Sequence, residues 1–237
     1  LSGIRHYAGD EFLGREMYAT VNAGLAIFKD DPLLHEPGER YLYSSYGYNL
    51  AGAVVEGASG QPYLEYMAAN VLAPLGMHDT VPDYLAPITP GRGRYYVVED
   101  SVILNAPEVD NSYKWASGGY IGTVEDLVRF GLAQLGDGPV TDTVHRAFWK
   151  EQLTNAGEPT GYGLGWRIRE DDEGRPWIGH TGGSVGGTTR FWIEPESGLV
   201  IAMISNLSRL DYGEVVDELS KVFLPPPVSV AGQGDGS

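Results

Sequence analysis

Pro176-Trp-Ile-Gly-His-Thr-Gly-Gly-Ser-Val-Gly-Gly-Thr-Thr-Arg-Phe-Trp-Ile-Glu-Pro195 is the stretch on which the reading of this chain turns. It predicts two β-strands, Pro176–Gly182 and Gly187–Glu194, joined by a glycine-dense turn, and Leu199–Ser205 supplies a third strand. Gly182, Gly183, Gly186 and Gly187 weaken a strand, because glycine loses the most backbone freedom and packs no side chain. Such a run is kept where another backbone or a ligand must come close. His180 and Thr181 head the run, so an ionisable ring and a hydroxyl border a strand edge where a substrate can lie. A plain glycine-rich hairpin with a surface histidine fits the same residues.

Outward from this stretch the pattern is helical upstream and mixed downstream. A helix is expected around Thr20–Phe28, and another over Ser45–Ser59 with Leu50, Ala53, Val54 and Ala58 on one face and Gly60 just past its end. Pro62 suits the first position of a helix running to about Leu72, ahead of Pro74-Leu-Gly76. Residues 79–116 read as irregular, with strand-like pieces at Arg94–Val98 and Val102–Leu104. Thr123 caps a helix whose apolar positions are Val124, Leu127, Val128, Leu132 and Leu135, ending at Gly136. Further helices are expected over Asp142–Glu151 and Asp211–Phe223, and a strand over Tyr162–Glu170. The order makes an α+β chain. Residues 1–155 form a mostly helical region, 156–224 a three-stranded antiparallel sheet with a closing helix, and 225–237 a disordered, linker-like tail.

Composition narrows the partners. Among 237 residues, 16 basic against 32 acidic side chains give a net charge of −16, with no basic cluster. Nucleic-acid binding and an anionic membrane surface are therefore disfavoured. The chain has no cysteine, hence no thiolate nucleophile, disulfide or Cys-type metal site, and the compartment stays open. No apolar run approaches 18 residues, so no membrane insertion is expected. His6, His35, His78 and His145 show no metal-ligand spacing and read as structural or exposed. No cofactor is expected.

Three separated stretches resemble one family. Tyr43-Ser-Ser45 ahead of Gly47-Tyr-Asn-Leu-Ala-Gly52, Trp115-Ala-Ser-Gly-Gly-Tyr-Ile-Gly-Thr-Val-Glu-Asp126, and His180-Thr-Gly-Gly183 resemble motifs of the serine β-lactamase and penicillin-binding-protein superfamily. The branch is the class C-like one that includes esterases and D-peptidases. Pro74-Leu-Gly-Met77 and Asn206 add to the likeness. Leu1–Tyr7, Phe28–Leu33 and Val109–Trp115 are similar to the mitochondrial serine β-lactamase-like proteins and their bacterial relatives. The resemblance runs from residue 1 to about 224 and implies a β-lactamase/transpeptidase-like fold.

It also implies roles. The substrate is a small-molecule or peptide acyl compound (an ester, D-peptide or β-lactam) processed through an acyl-enzyme. Tyr43 is the phenol that moves protons; a packed aromatic among Tyr41, Tyr46 and Tyr48 is the plainer alternative. Ser45 stands where the family usually has Asn. A hydroxyl makes fewer bonds than an amide, which leaves more room for esters; Ser45 as a helix cap is equally consistent. His180 replaces the family's Lys, faces the pocket, helps keep Tyr43 acidic and attracts a substrate carboxylate. Thr181 offers it a hydroxyl, Gly183 supplies an oxyanion N–H, and Gly182 with Gly183 keeps the strand bare. Ser117-Gly118-Gly119 reads as a tight loop at the cleft, and Trp115 as a pocket wall or core residue.

The family's nucleophile and activating lysine come from Ser-x-x-Lys. The residues three before the four lysines here are Ala26, Asn111, Ala147 and Glu218, so the motif is absent. The expectation is an N-terminally incomplete sequence, inactive alone, whose missing strands leave a sheet edge and an apolar face that favour self-association. Two other readings stay open: a non-catalytic scaffold or filament-forming protein that keeps the fold, and an enzyme using Ser184 or Ser117 with His180.

Overall fold

From Arg167 onward the chain forms a four-stranded antiparallel sheet in simple sequence order: β5 (Arg167–Glu170), β6 (Pro176–Ser184), β7 (Gly187–Glu194) and β8 (Leu199–Ser205). The computed structural model describes residues 1–136, 142–212 and 215–224. The expected tail, 225–237, lies outside them. The sheet has one strand more than the three expected, because the segment ahead of the hairpin joins it. That strand is shorter than Tyr162–Glu170. Gly161 (φ +70°) and Gly165 (φ +87°) turn the backbone into a tight loop, closed by Gly163 N–H donating to the Trp166 carbonyl at 2.8 Å. The loop returns Tyr162 opposite Arg167.

Alternation sends the two faces of the sheet to different partners. Trp177, Trp192 and Ile201 pack with Val216 of helix α7 (Val215–Phe223) and with Leu224. The opposite face meets α5 (Val124–Ala133), where Gly131 permits close approach: a Cβ there would lie 2.6 Å from Val200 and 3.1 Å from Phe191. Phe130 of α5 lies 5.9 Å from Phe191, centroid to centroid. Thr123 caps α5 as expected, its hydroxyl accepting from Asp126 N–H at 3.3 Å. The helix ends at Ala133 rather than Gly136, and Val124 and Leu132 of the expected stripe are exposed.

The first part of the chain is organised around α2 (Ser45–Ser59). Before it come α1 (Val21–Gly24) and a 3₁₀ turn, Leu25–Ile27; after it come α3 (Tyr63–Met67), capped by Pro62, and a π-helical turn, Ala68–Leu72. The buried face of α2 is not the expected one. Leu50, Val54 and Ala58 are exposed, and Ser45, Tyr46, Asn49 and Gly52 are buried. Close packing explains it: a Cβ on Gly52 would meet Ala116 at 2.4 Å. Ala116 belongs to α4 (Trp115–Gly118), which follows the 3₁₀ segment Asn111–Lys114. Small strand pairs complete this part: β1 (Val81–Pro82) with β4 (Tyr120–Ile121), and the hairpin of β2 (Tyr96–Glu99) and β3 (Val102–Asn105). Helix α6 spans Asp142–Trp149.

Candidate active site

The site forms along one edge of β6. Pairing of β5 to β6 runs from Glu170↔Pro176 to Arg167↔Gly179 and stops there, whereas β7 stays paired to β6 up to Ser184↔Gly187. Residues 180–184 therefore have a strand on one side only. Val185 and Gly186 make a two-residue turn, with Gly186 at φ +80°, so Ser184↔Gly187 is the closing hydrogen-bonded pair of the hairpin. Antiparallel ladders alternate bonded and non-bonded pairs. On that alternation the N–H and C=O of Thr181 and Gly183 turn to the unpaired edge.

The glycines of this edge differ. A Cβ on Gly183 would meet no atom within 4 Å, while one on Gly182 would lie 2.1 Å from the Thr189 hydroxyl oxygen across the hairpin. Gly183 keeps the edge open to another molecule, and Gly182 lets β6 and β7 close on each other.

Tyr43 reaches the edge from the other half of the chain. Ser44, not Ser45, caps α2: its hydroxyl accepts from Gly47 N–H at 3.0 Å and donates to the Arg5 carbonyl at 2.7 Å. Tyr43 precedes the cap, and its ring lies 6.1 Å from the His180 ring and 5.4 Å, edge-on, from His6. It remains 38% exposed. Tyr162, carried by the glycine loop, lies 5.8 Å from His180 and stacks on Tyr41 at 5.1 Å. Four rings thus gather beside β6 from three separate segments.

His180 Nδ1 lies 2.6 Å from the Thr181 carbonyl oxygen. With the carbonyl as acceptor, Nδ1 carries the proton and Nε2 is left as the basic nitrogen. Burial pushes the imidazole below its ordinary range; the Thr181 carbonyl partly opposes this, and the nearby Arg167 charge adds to it. The ring is neutral near pH 7. Arg167 is the fixed cation at this end, donating from Nε to the Tyr162 hydroxyl at 2.6 Å and from Nη1 to Thr181 Oγ1 at 3.5 Å.

Ser45 has a different setting. It is 6% exposed, in the first turn of α2. Its N–H donates to His6 Nδ1 at 3.2 Å. Burial raises the Tyr7 phenol, and the nearby Ser45 and Ser117 side chains offset part of that rise. Ser117 donates to Asn49 Oδ1 at 3.2 Å, and Asn49 Nδ2 donates to the Tyr113 carbonyl. Trp115 is a core residue, 1% exposed, with Nε1 donating to the Tyr18 carbonyl.

Arg167 and Lys114 carry no site signal in the sequence, Tyr162 carries only a loop signal, and His6, read there as structural or exposed, lies beside Tyr43. Lys114 is buried and donates to Ser184 Oγ at 3.0 Å, at the far end of the open edge. Gly161-Tyr-Gly-Leu-Gly165 was a usable signal for Tyr162, since closely spaced glycines around one aromatic mark a tight loop. Among the described residues no group of three or more His, Cys, Asp or Glu could hold a metal ion, and no helix is long and apolar enough to cross a membrane.

Comparison with known proteins places the chain in a family. The chain is 32% identical over 248 residues to the serine beta-lactamase-like protein LACTB, mitochondrial, of Homo sapiens, covering 88% of this chain and 45% of that protein. Over 255 residues it is 28% identical to penicillin-binding protein 4 of Amycolatopsis lactamdurans, covering 94% of this chain and 64% of that one. The chain spans about half the length of the curated relatives it matches. A D-stereospecific amidohydrolase from Streptomyces sp. shares the fold, with a TM-score of 0.77 at 22% identity over 94% of this chain and 70% of that one. The Beta-lactamase family model matches residues 2–220, so nearly the whole described chain, with its Tyr43 segment and its open β6 edge, belongs to the beta-lactamase family.

Proposed function

We propose that this chain is part of a serine hydrolase that works through an acyl-enzyme on an ester, D-peptide or β-lactam. The observation that carries the reading is the meeting of Tyr43 and His180, from opposite halves of the chain, beside a strand edge whose Gly183 has open space in front of it. A serine attacking a carbonyl needs a group to take its proton, donors for the developing oxyanion and a surface that aligns the acyl compound. In this reading Tyr43 moves the proton, Gly183 N–H is one oxyanion donor, and Thr181 with the β6 edge aligns the substrate. The acyl-accepting serine and its lysine come from a Ser-x-x-Lys outside residues 1–237.

His180 and Arg167 divide the role first given to His180. A neutral imidazole does not hold a carboxylate by charge, so Arg167, next to Thr181, supplies that attraction, and His180 acts as a proton acceptor beside Tyr43. Ser45, buried against Tyr7 and His6, fixes the Tyr43 segment and has no amide with which to grip a substrate amide. This favours esters within the three substrate classes.

The test is intact-mass spectrometry after treatment with a fluorophosphonate and, separately, a penicillin, on this chain and on the longer gene product. An adduct on the longer protein alone is expected. Failure of both to react overturns the reading. Reaction of the 237-residue chain itself relocates the nucleophile to a serine such as Ser184 or Ser117.

A second reading, a scaffold that assembles without catalysis, draws on the β2–β3 hairpin, where Val98, Val102, Ile103 and Leu104 are all exposed. Sedimentation separates the two: large assemblies growing with protein concentration, with no acylation, favour the scaffold.

A further inference from the structure

Lys114 is 6% exposed, yet no carboxylate lies within ion-pair distance of it among the described residues. Asp83, whose charge acts on it, is already engaged: Arg92 Nη2 lies 2.8 Å from its Oδ1, and Asn111 Nδ2 donates to its Oδ2 at 2.7 Å. The ammonium has three protons to donate. It gives one to Ser184 Oγ at 3.0 Å, and it lies 5.7 Å from the centre of the Tyr113 ring. Burying a charge without a counter-ion opposes folding, so stability does not explain this lysine. Its direction points to a use. Ser184 shares a strand face with His180 and Gly182, so Lys114 and His180 border the same side of the open edge.

The open edge of β6 therefore has a cation at each end, Arg167 at Thr181 and Lys114 at Ser184, in a chain of net charge −16. The two ends are about 10 Å apart at 3.3 Å per residue, a span that a small acyl or dipeptide substrate can cover. Ser184 Oγ, while accepting from Lys114, keeps its own proton. Nζ and Oγ thus form two adjacent donors that suit the two oxygens of one carboxylate.

We propose that Lys114 and Ser184 form an anion subsite that selects substrates bearing a carboxylate toward the Ser184 end of the β6 edge. The substrate part of this proposal rests on the hydrolase reading above. Lys114 is then a specificity-determining residue with no part in bond breaking.

The test uses the full-length gene product and two esters of equal chain length, p-nitrophenyl hydrogen adipate and p-nitrophenyl hexanoate. The wild type is expected to prefer the adipate. Lys114→Met should lower the adipate/hexanoate ratio of kcat/KM about 10- to 100-fold, chiefly through KM, and Lys114→Arg should restore part of it. A structural role for Lys114 would lower both esters together and leave the ratio unchanged. That outcome, or a wild type without preference, overturns the proposal. Fluorophosphonate labelling reports the hydrolase reading separately. If the wild type neither labels nor cleaves either ester, equilibrium dialysis with monomethyl adipate decides. Binding weakened about tenfold or more by Lys114→Met and by Ser184→Ala supports the subsite; equal binding by all three proteins overturns it.

Discussion

Two regions meet at the edge of β6, each with apolar clusters, and they differ in how many polar groups they bury beside them. The sheet and α7 enclose an apolar core of Trp177, Trp192, Ile201, Val216 and Leu224. The Tyr43 side buries Ser44, Ser45, Asn49, Asp110, Asn111, Ser112 and Lys114, all under 9% exposed. Apolar burial is non-directional and scales with area, whereas a buried polar group is tolerable only with a partner in the right place. The difference assigns work to each side: the sheet contributes stability, and the polar side contributes position. Substitutions should separate them, with large losses of stability in the sheet and smaller or reversed effects on the polar side.

The largest effect is expected at Trp177, fully buried between β6 and α7 and donating from Nε1 to Asp171 Oδ2 at 3.0 Å. Trp177→Ala should destabilise by about 3–5 kcal/mol, read as a lower denaturant midpoint. It also removes one donor from Asp171, which keeps Arg175 and whose carboxyl is held down at about 2. Burial pushes that carboxyl up, but the bonds from Trp177 and Arg175 outweigh it. With a folded pKa below the unfolded 3.8, this group contributes stability present above pH 4 and lost as pH falls toward 2. Wild type should lose that contribution over the same range, and Trp177→Ala should show a weaker acid dependence there. Equal stability of the two proteins at pH 7 would break the comparison.

Lys114 should behave in the opposite way. Burial lowers its ammonium from 10.5 to about 8, against the attraction of Asp83, which amounts to roughly 3 kcal/mol of opposition to folding at neutral pH. Lys114→Met should raise Tm at pH 7. The sign of its pH dependence is fixed: between pH 8 and 10.5 the unfolded chain holds more protons at this site, so wild-type stability rises with pH there. The advantage of Lys114→Met should shrink across that window. A variant less stable than wild type at pH 7 would show that Lys114 has a structural partner.

These two residues also mark what was legible in the sequence. Trp177 lies in an alternating strand, and period-two patterning gave β6, β7 and β8 nearly to the residue. Motif resemblance singles out Tyr43, Thr181, Gly183 and His180, and the structure sets the Tyr43 ring 6.1 Å from that of His180. The buried face of α2 was not legible. Hydropathy selects Leu50, Val54 and Ala58, whereas the packed face uses Gly52 for close approach and Ser45 and Asn49 for bonds to distant residues. A polar side chain buried against partners far along the chain leaves no local pattern. Lys114 and Arg167 escaped notice for the same reason: an isolated cation looks solvated until the fold places it.

The smallest effect is also the sharpest test of whether the polar side positions Tyr43. Ser44 and Ser45 are adjacent, both buried and chemically identical, but Ser44 caps α2 and bonds the Arg5 carbonyl, while Ser45 lies beside Tyr7 and donates its N–H to His6. Ser44→Ala loses the cap and should cost about 1 kcal/mol, with Tyr43 freed to move because the residue beside it is no longer pinned. Ser45→Ala leaves the cap and the backbone bond to His6 in place, so its cost in stability should be comparable or less. Activity of the longer protein separates them: Ser44→Ala should lower kcat through the displaced phenol. Ser45→Ala should retain the pH profile of the wild type, because in the proposed reading the proton moves through Tyr43 and not through Ser45. If Ser45→Ala shifts the pH profile and Ser44→Ala does not, the proton path runs through Ser45, and the polar side is part of the chemistry as well as its frame.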